Sequence, residues 1–275
     1  MKQEIGSILH YLHTQRGFDF RGNHLSMLER RVYKRVHATK TGSYEGYFLY
    51  LQENQQELDE LLHVLTINVS EFFRDPLAFE YLQSLISNTL QMKLRQGEHN
   101  LRIWSAGCST GEEPYSVAIM IREVLENIFD SAVTIDIIGT DIDEKALIRA
   151  SIGHYKEESL KSTRLGLIRK NFNQEKEHYT ISEDITAMVN FSTYDLLDKK
   201  SFVPPESVFG DFDIVLYRNV LIYFNQEYQS RIFHKLYKSL NKNGYLILGE
   251  SEVPIGEYSN RFKRVSRYCK IFQKR

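Results

Sequence analysis

Two short runs in this sequence combine residue types that can hold a small ligand. The first is Trp104-Ser-Ala-Gly-Cys-Ser-Thr-Gly-Glu-Glu-Pro-Tyr115, where Gly107 and Gly111 let the backbone come close to a ligand. Ser109 or Thr110 can cap a following helix, and Pro114 falls in its first turn, where a missing N–H costs little. The run has neither Lys nor Arg, and Glu112 and Glu113 open the helix. A loop of that charge repels pyrophosphate and favours a cationic or hydroxyl-rich ligand. The second run, Gly139-Thr-Asp-Ile-Asp143, offers Asp141 as an acceptor for sugar hydroxyls. The plainer readings are that the glutamates complement a helix dipole and that the aspartates are caps, a role that suits Asp143 in any case.

Such runs need a frame, and the surrounding pattern supplies one. Leu101–Ser105 and Val133–Gly139 read as strands, each followed by a helical stretch. Phe212–Tyr217 is strand-like, Gln226–Leu240 is helical with Ile232, Phe233 and Leu236 on one face, and Tyr245–Gly249 is a further strand. This alternation indicates an α/β domain with a mostly parallel sheet, and Phe262–Gln273 suits an antiparallel edge hairpin. In open sheets of this kind, ligands bind where strands end and helices begin. Two glycines alone leave the plainer readings ahead. An aspartate at the end of the second strand shifts the balance toward a ligand with ammonium, sulfonium and ribose groups, such as S-adenosylmethionine.

Ahead of that domain, Ile5, Ile8, Leu9 and Leu12 recur at helix spacing, as do Tyr44, Tyr47, Phe48 and Leu51, then Leu58, Leu61, Leu62 and Leu65. We expect a helical N-terminal domain over 1–66, a junction over 67–100 and the α/β domain over 101–275. A polar insertion at about 153–191 is expected to form a small helix-plus-hairpin subdomain. The 35 Lys and Arg against 36 Asp and Glu give a net charge of −1, which argues against bulk electrostatic binding of nucleic acid. Cys108 and Cys269 are too few for a disulfide framework or a four-cysteine zinc site, and His10 and His13 lack nearby acids or thiols, so no metal is expected. The apolar runs fall short of a membrane span, and the first residues lack the apolar core of a signal peptide. The expectation is a reducing, cytoplasmic setting without membrane insertion.

Four runs in order carry a resemblance to a known family. WSAGCSTGEEPYS (104–116), GTDIDEKAL (139–147), YRNVLIYF (217–224) and, upstream, TINVSEFFRD (66–75) are similar to those of the chemotaxis receptor methyltransferases, CheR. The resemblance implies a class I S-adenosylmethionine-dependent, Rossmann-like methyltransferase sheet with a helical N-terminal domain and an inserted β-subdomain. It implies methyl transfer to receptor glutamates, giving γ-glutamyl methyl esters and S-adenosylhomocysteine. Matched position by position, Asn68, Ser70 and Arg74 touch the cofactor from the junction. Glu113 and Asp141 hold its methionine and ribose portions. Asp195 and Leu196 border the adenine, and Arg218 and Asn219 complete the pocket. Arg74 and Tyr223 are the candidates for acting on the substrate carboxylate. Position 195 is Asp where Asn is expected in much of the family, Ser70 replaces a frequent Thr, and Tyr217 stands where a smaller residue is common.

Taken alone, Arg74 also reads as a link between linker and catalytic domain, and Tyr223 as packing at a strand end. Beside them, the N-terminal stretch holds eight Lys or Arg (2, 16, 21, 30, 31, 34, 35, 40) against Glu4, Asp19 and Glu29. Arg30, Arg31, Lys34 and Arg35 fall at i, i+4 spacing and make a candidate docking face for the acidic helical region of a receptor. Most such runs are only solvated faces. Relatives that grip a receptor-tail peptide do so with a glycine-bearing hairpin, whereas Asn173-Gln-Glu-Lys-Glu177 has no glycine, so tether binding is not expected. Two other functions compete: methylation of a nucleic-acid base or small molecule, and a non-catalytic adaptor that senses the cofactor. The Asn/Asp-Pro-Pro-aromatic signature of adenine methylation is missing where the fourth strand ends in Arg218-Asn219. Retention of Arg74, Asn219 and Tyr223 argues against the adaptor.

Overall fold

Apolar residues at helical spacing build the first of two units in the computed structural model, which describes all residues except 1, 17–19, 21, 66–69, 127–132, 199, 200, 208 and 209. This unit comprises Met1–Asn68 with Ile222–Gln229, and the other Val69–Leu221 with Ser230–Arg275. Asn68 and the boundary expected at 66/67 lie outside the described residues. The first unit holds α1 (Lys2–Arg16), α2 (Leu25–Ala38), α3 (Tyr44–Glu53) and α4 (Gln55–Leu65). Ile8, Leu12, Leu28, Val32, Tyr47, Leu51, Leu58 and Leu61 pack as one buried cluster. The segment Ile222–Gln229 joins it through backbone pairing: the His24 N–H donates to the Tyr223 carbonyl (3.1 Å), and the Asn225 N–H to that of Gly22 (2.7 Å).

The four basic residues of α2 do not form one face. Its buried stripe is Leu28, Val32 and Val36. At 3.6 residues per turn, Arg31 and Arg35 flank that stripe, while Arg30 and Lys34 point to the opposite side. Arg35 accordingly turns inward and meets Glu57 with two N–H donors, at 2.8 and 2.6 Å. The same carboxylate, only 6% exposed, accepts from the Tyr47 hydroxyl at 2.7 Å. Arg31 donates to the Val64 and Leu65 carbonyls (2.6 and 3.2 Å), closing the end of α4, where cations are favoured. The expectation of one basic face made by all four residues is corrected: only Arg30 and Lys34 among them are exposed.

The second unit opens with α5 (Pro76–Arg95) and then alternates: β1 (Asn100–Ala106), α6 (Glu112–Leu125), β2 (Thr134–Asp141) and α7 (Glu144–Ile152). The insertion follows, with β3 (His154–Lys156), α8 (Leu165–Asn171), β4 (Phe172–Glu175), β5 (His178–Ile181) and the short α9 (Glu183–Thr186). Strands β3, β5 and β4 make a three-stranded antiparallel sheet. The main sheet resumes at β6 (Val189–Thr193), so the end of the segment assigned to the insertion pairs in parallel with β2. Next come β7 (Phe212–Tyr217), α10 (Gln226–Ser239), β8 (Leu240–Leu248), α11 (Tyr258–Arg261), β9 (Phe262–Arg264) and β10 (Ile271–Lys274).

Seven strands lie in the order β6-β2-β1-β7-β8-β10-β9. The first five run parallel, and β10 is antiparallel to both β8 and β9. The chain moves outward from β1 in both directions, so β1 and β7 flank the point where strand order reverses, the usual ligand crevice of an open sheet. The mixed sheet with its helical N-terminal unit is the architecture expected from sequence. Its centre is apolar, and the buried Trp104 indole N–H donates to the Thr140 hydroxyl (2.9 Å). No helix among the described residues is long and apolar enough to cross a membrane.

Candidate active site

The loop from β1 to α6 is held in shape by the end of β2. The Gly107 and Cys108 N–H groups donate to the Thr140 carbonyl at 2.7 and 2.9 Å. The Ser109 N–H donates to Asp141 at 2.8 Å. Gly107, Ser109 and Gly111 all have left-handed backbone, with φ of 72°, 53° and 90°. At Gly111 a Cβ would lie 2.8 Å from Ala150 and 3.2 Å from the Tyr155 hydroxyl, so no larger residue fits. Gly111 itself begins α6 with no side-chain cap. The expected capping by Ser109 or Thr110 is therefore corrected, because Ser109 is left-handed and the Thr110 hydroxyl turns to the Glu112 carboxylate (2.8 and 3.0 Å).

The two glutamates at the start of α6 have different tasks. Adjacent helical residues point about 100° apart, and here Glu112 is buried while Glu113 faces Arg218. Hydroxyls of Thr110, Ser70 and Ser159 surround the Glu112 carboxylate, and burial pushes its pKa up against them. These three donors come from the cofactor-type loop, the junction and the insertion. Tyr155 adds a second link from the insertion, its hydroxyl donating to the Thr110 carbonyl at 2.7 Å. Glu113 accepts from the Ser105 hydroxyl (2.7 Å) and from the Arg218 guanidinium (3.2 Å).

Arg218 is the link to Arg74. Its other terminal nitrogen donates to the Arg74 carbonyl at 2.8 Å and lies 3.6 Å from the Asp75 carboxylate, and its guanidinium sits over the Phe79 ring. Arg74 itself is half-buried and lies between Phe73 and Asp75, whose φ values of 53° and 66° are uncommon for residues with a Cβ. The surroundings hold that strained segment at four places: Ser70 to Glu112, the Phe72 N–H to the Ser159 carbonyl (2.8 Å), the Phe73 N–H to the Ser116 hydroxyl (2.9 Å), and the Arg74 carbonyl to Arg218. Strain of this kind concentrates at functional sites.

Asp141 is buried, and burial pushes its pKa up although backbone N–H groups of Ser109, Ile142 and Asp143 hold the charged form. A carboxylate has about four lone-pair sites, so Asp141 retains room for one more donor. Asp143 caps α7, accepting from Lys145 and Ala146 at 3.0 and 3.2 Å. Beyond β6, Asp195 accepts from the Leu197 N–H (2.7 Å), and the Lys235 ammonium donates to the carbonyls of Asp195 and Asp198 (3.4 and 2.6 Å). Burial lowers Lys235 to about 8. Leu196 lines a cavity of about 410 Å³ with Phe202, Arg231, His234 and Tyr258.

Asn219 has left-handed backbone (φ 62°), and its N–H donates to Glu252 at 3.0 Å. Glu252 and Lys235 have no motif signal, since both act on backbone groups distant in sequence. Tyr217, unexplained by sequence, lies fully buried with a ring carbon 3.8 Å from the point where a Gly107 Cβ would be. Its phenol is pushed up by burial and further by Glu252, Asp141 and Asp195. Ser70, Arg74, Glu113, Asp141, Asp195, Leu196, Arg218 and Asn219 thus share the second unit, whereas Tyr223 belongs to the first and Asn68 is not described.

Three carboxylates at this edge, Glu112, Asp141 and Glu252, are held above the usual range by desolvation. Because their folded values are raised, each costs the fold stability once pH rises through the unfolded value, a cost absent in acid. Negative charge held at such a cost, in a loop free of Lys and Arg, suits a cationic, hydroxyl-bearing ligand. S-Adenosylmethionine meets that description, and the residues present fit it.

Comparison with known proteins agrees. A family model described as the CheR methyltransferase SAM binding domain matches residues 68–270, and that of the CheR all-alpha domain matches residues 3–66. Chemotaxis protein methyltransferase 2 of Vibrio cholerae is 32% identical over 247 residues, covering 88% of this chain and 82% of its own. The chemotaxis protein methyltransferase of Borreliella burgdorferi is 29% identical over 275 residues, covering 98% of this chain and 94% of its own. That of Listeria innocua is 31% identical over 227 residues, covering 82% and 81%. With both family models matched in order along a fold that has their helical and cofactor-binding parts, the chain belongs to the CheR methyltransferase family and is an S-adenosylmethionine-dependent methyltransferase.

Proposed function

We propose that this enzyme methylates glutamate side chains in the cytoplasmic helical region of chemotaxis receptors, forming γ-glutamyl methyl esters for sensory adaptation. The observation that carries the residue roles is the Arg218 bridge, which ties Glu113 on the cofactor side to the strained segment holding Arg74. When bound, S-adenosylmethionine supplies an electrophilic methyl group on a sulfonium. Asn68, Ser70, Arg74, Glu113, Asp141, Asp195, Leu196, Arg218 and Asn219 are the residues proposed to hold it. A glutamate side chain has a reference pKa of about 4.3, so at neutral pH it is already an anion and needs no general base. What remains is positioning and exclusion of water.

Arg74 is proposed to anchor the substrate carboxylate through paired N–H donors. Tyr223 is proposed as a second group acting on it, on the family pattern alone. A receptor fragment carrying its native glutamates should take up methyl label, and the same fragment with those residues changed to glutamine should take up none. Label entering the glutamine form would remove the proposal.

Arg30 and Lys34 are proposed to guide the acidic receptor. Reversing both charges should lower methylation by about three- to tenfold at low salt and much less at high salt. Arg35→Glu should behave differently, lowering the melting temperature by several degrees at any salt, because Glu57 then faces a like charge in a buried site. Equal, salt-independent effects of the two reversals would refute the separation of faces. The hairpin tip at Lys176 has left-handed backbone without a glycine, and we propose that the enzyme acts without a receptor-tail tether.

A further inference from the structure

We infer that Glu252 is a positioning residue for the cofactor, fixing the turn after β7 from which Arg218 and Asn219 act. This rests on the reading that those two residues meet the cofactor. Glu252 follows β8, and its carboxylate turns back beneath that turn. One oxygen accepts from the Gly249 and Asn219 N–H groups at 2.7 and 3.0 Å, and the other from Leu221 at 2.8 Å. The residue is 3% exposed, so these bonds stand in for water around a buried charge.

Consecutive N–H groups aimed at one point make an anion-binding concavity, and here the chain fills it with its own carboxylate. Two features show that the turn is shaped around that carboxylate. Asn219 takes a left-handed conformation that exposes its N–H to Glu252. Gly249 leaves room for the approach, since a Cβ there would lie 2.8 Å from the Asn219 nitrogen and 2.8 Å from the Glu252 carboxylate. The strands do not need Glu252 for pairing, because β8 is already hydrogen-bonded to β7 and β10. What it holds is the stretch whose first residue, Arg218, reaches Glu113 and Arg74.

The test is Glu252→Gln, in which one oxygen is replaced by an amide that cannot accept. Calorimetry should show S-adenosylhomocysteine binding weakened by about tenfold or more, the range for lost bonds to a charged group. The KM for S-adenosylmethionine should rise alike, while the receptor KM holds and kcat at saturating cofactor stays within about threefold of wild type. Gly249→Ala disturbs the same clamp from the other side and should give the same split, which covers the case of a poorly folded glutamine variant. Asn219→Ala tests the underlying reading. Cofactor affinity lost in Asn219→Ala but kept in Glu252→Gln and Gly249→Ala overturns the role of Glu252 and leaves the reading intact. Affinity kept in all three overturns both. A parallel fall of kcat, both KM values and melting temperature would make Glu252 a structural strut, which also overturns the inference.

Discussion

Arg74→Ala should abolish methyl transfer while the protein stays folded and still binds S-adenosylhomocysteine measurably. The expected loss is about a thousandfold, the upper range for removing one preorganised donor group from a site. The geometry explains why the side chain, and not the segment, is at stake. Arg74 is clasped through its backbone carbonyl by Arg218, and the neighbouring Phe72 and Phe73 N–H groups are bonded to Ser159 and Ser116. Truncating the side chain leaves all of those bonds in place. Lys at this position keeps a point charge but loses the paired, planar donors, so Arg74→Lys should recover only part of the activity. Near-normal turnover by Arg74→Ala would show that the carboxylate is anchored elsewhere.

Arg218→Ala should act differently, lowering both stability and cofactor affinity. Its side chain is 4% exposed and joins three elements: the start of α6 through Glu113, the Arg74 carbonyl, and Asp75 at the start of α5. Removing one partner of a buried pair typically costs about 3–5 kcal/mol, because the other charge stays buried. In a unit of this size that corresponds to a melting temperature lower by roughly ten degrees. Cofactor binding should weaken by at least about tenfold, since Glu113 loses one of its two fixing bonds. Lys cannot donate to Glu113 and to the Arg74 carbonyl in the same geometry, so Arg218→Lys should rescue little. Thermal melts and calorimetry on the two variants check this, and an unchanged melting temperature in Arg218→Ala would contradict it.

The frame of the site was legible because it is written in local patterns. Alternating apolar periods located the strands, and the two glycines with Asp141 marked the carboxyl edge where the ligand belongs. What sequence could not reveal is which way long or polar side chains turn when their partners are remote. Arg31 and Arg35 share spacing with Arg30 and Lys34, yet Glu57 and the last carbonyls of α4 draw them inward. Glu112 and Glu113 are neighbours with the same charge, and partners from other segments separate their roles: the hydroxyls of Ser70 and Ser159 at Glu112, and Arg218 at Glu113. Ser109 has the composition of a cap, but left-handed backbone in the loop aims its N–H at Asp141 instead. Glu252 left no trace in sequence, because its partners are backbone N–H groups, those of Asn219 and Leu221 about thirty residues upstream, which any residue type but proline could supply.

The chemistry of the transferred methyl group separates this account from its rivals. Membranes containing chemotaxis receptors, incubated with the enzyme and methyl-labelled S-adenosylmethionine, should acquire label on the receptor. Mild base should release that label as methanol, as expected of a carboxyl ester, and Arg74→Ala enzyme should transfer none. Label that survives base would place the methyl group on nitrogen or carbon, and tight cofactor binding with no transfer would indicate an adaptor. Either result would contradict methylation of receptor glutamates by this enzyme.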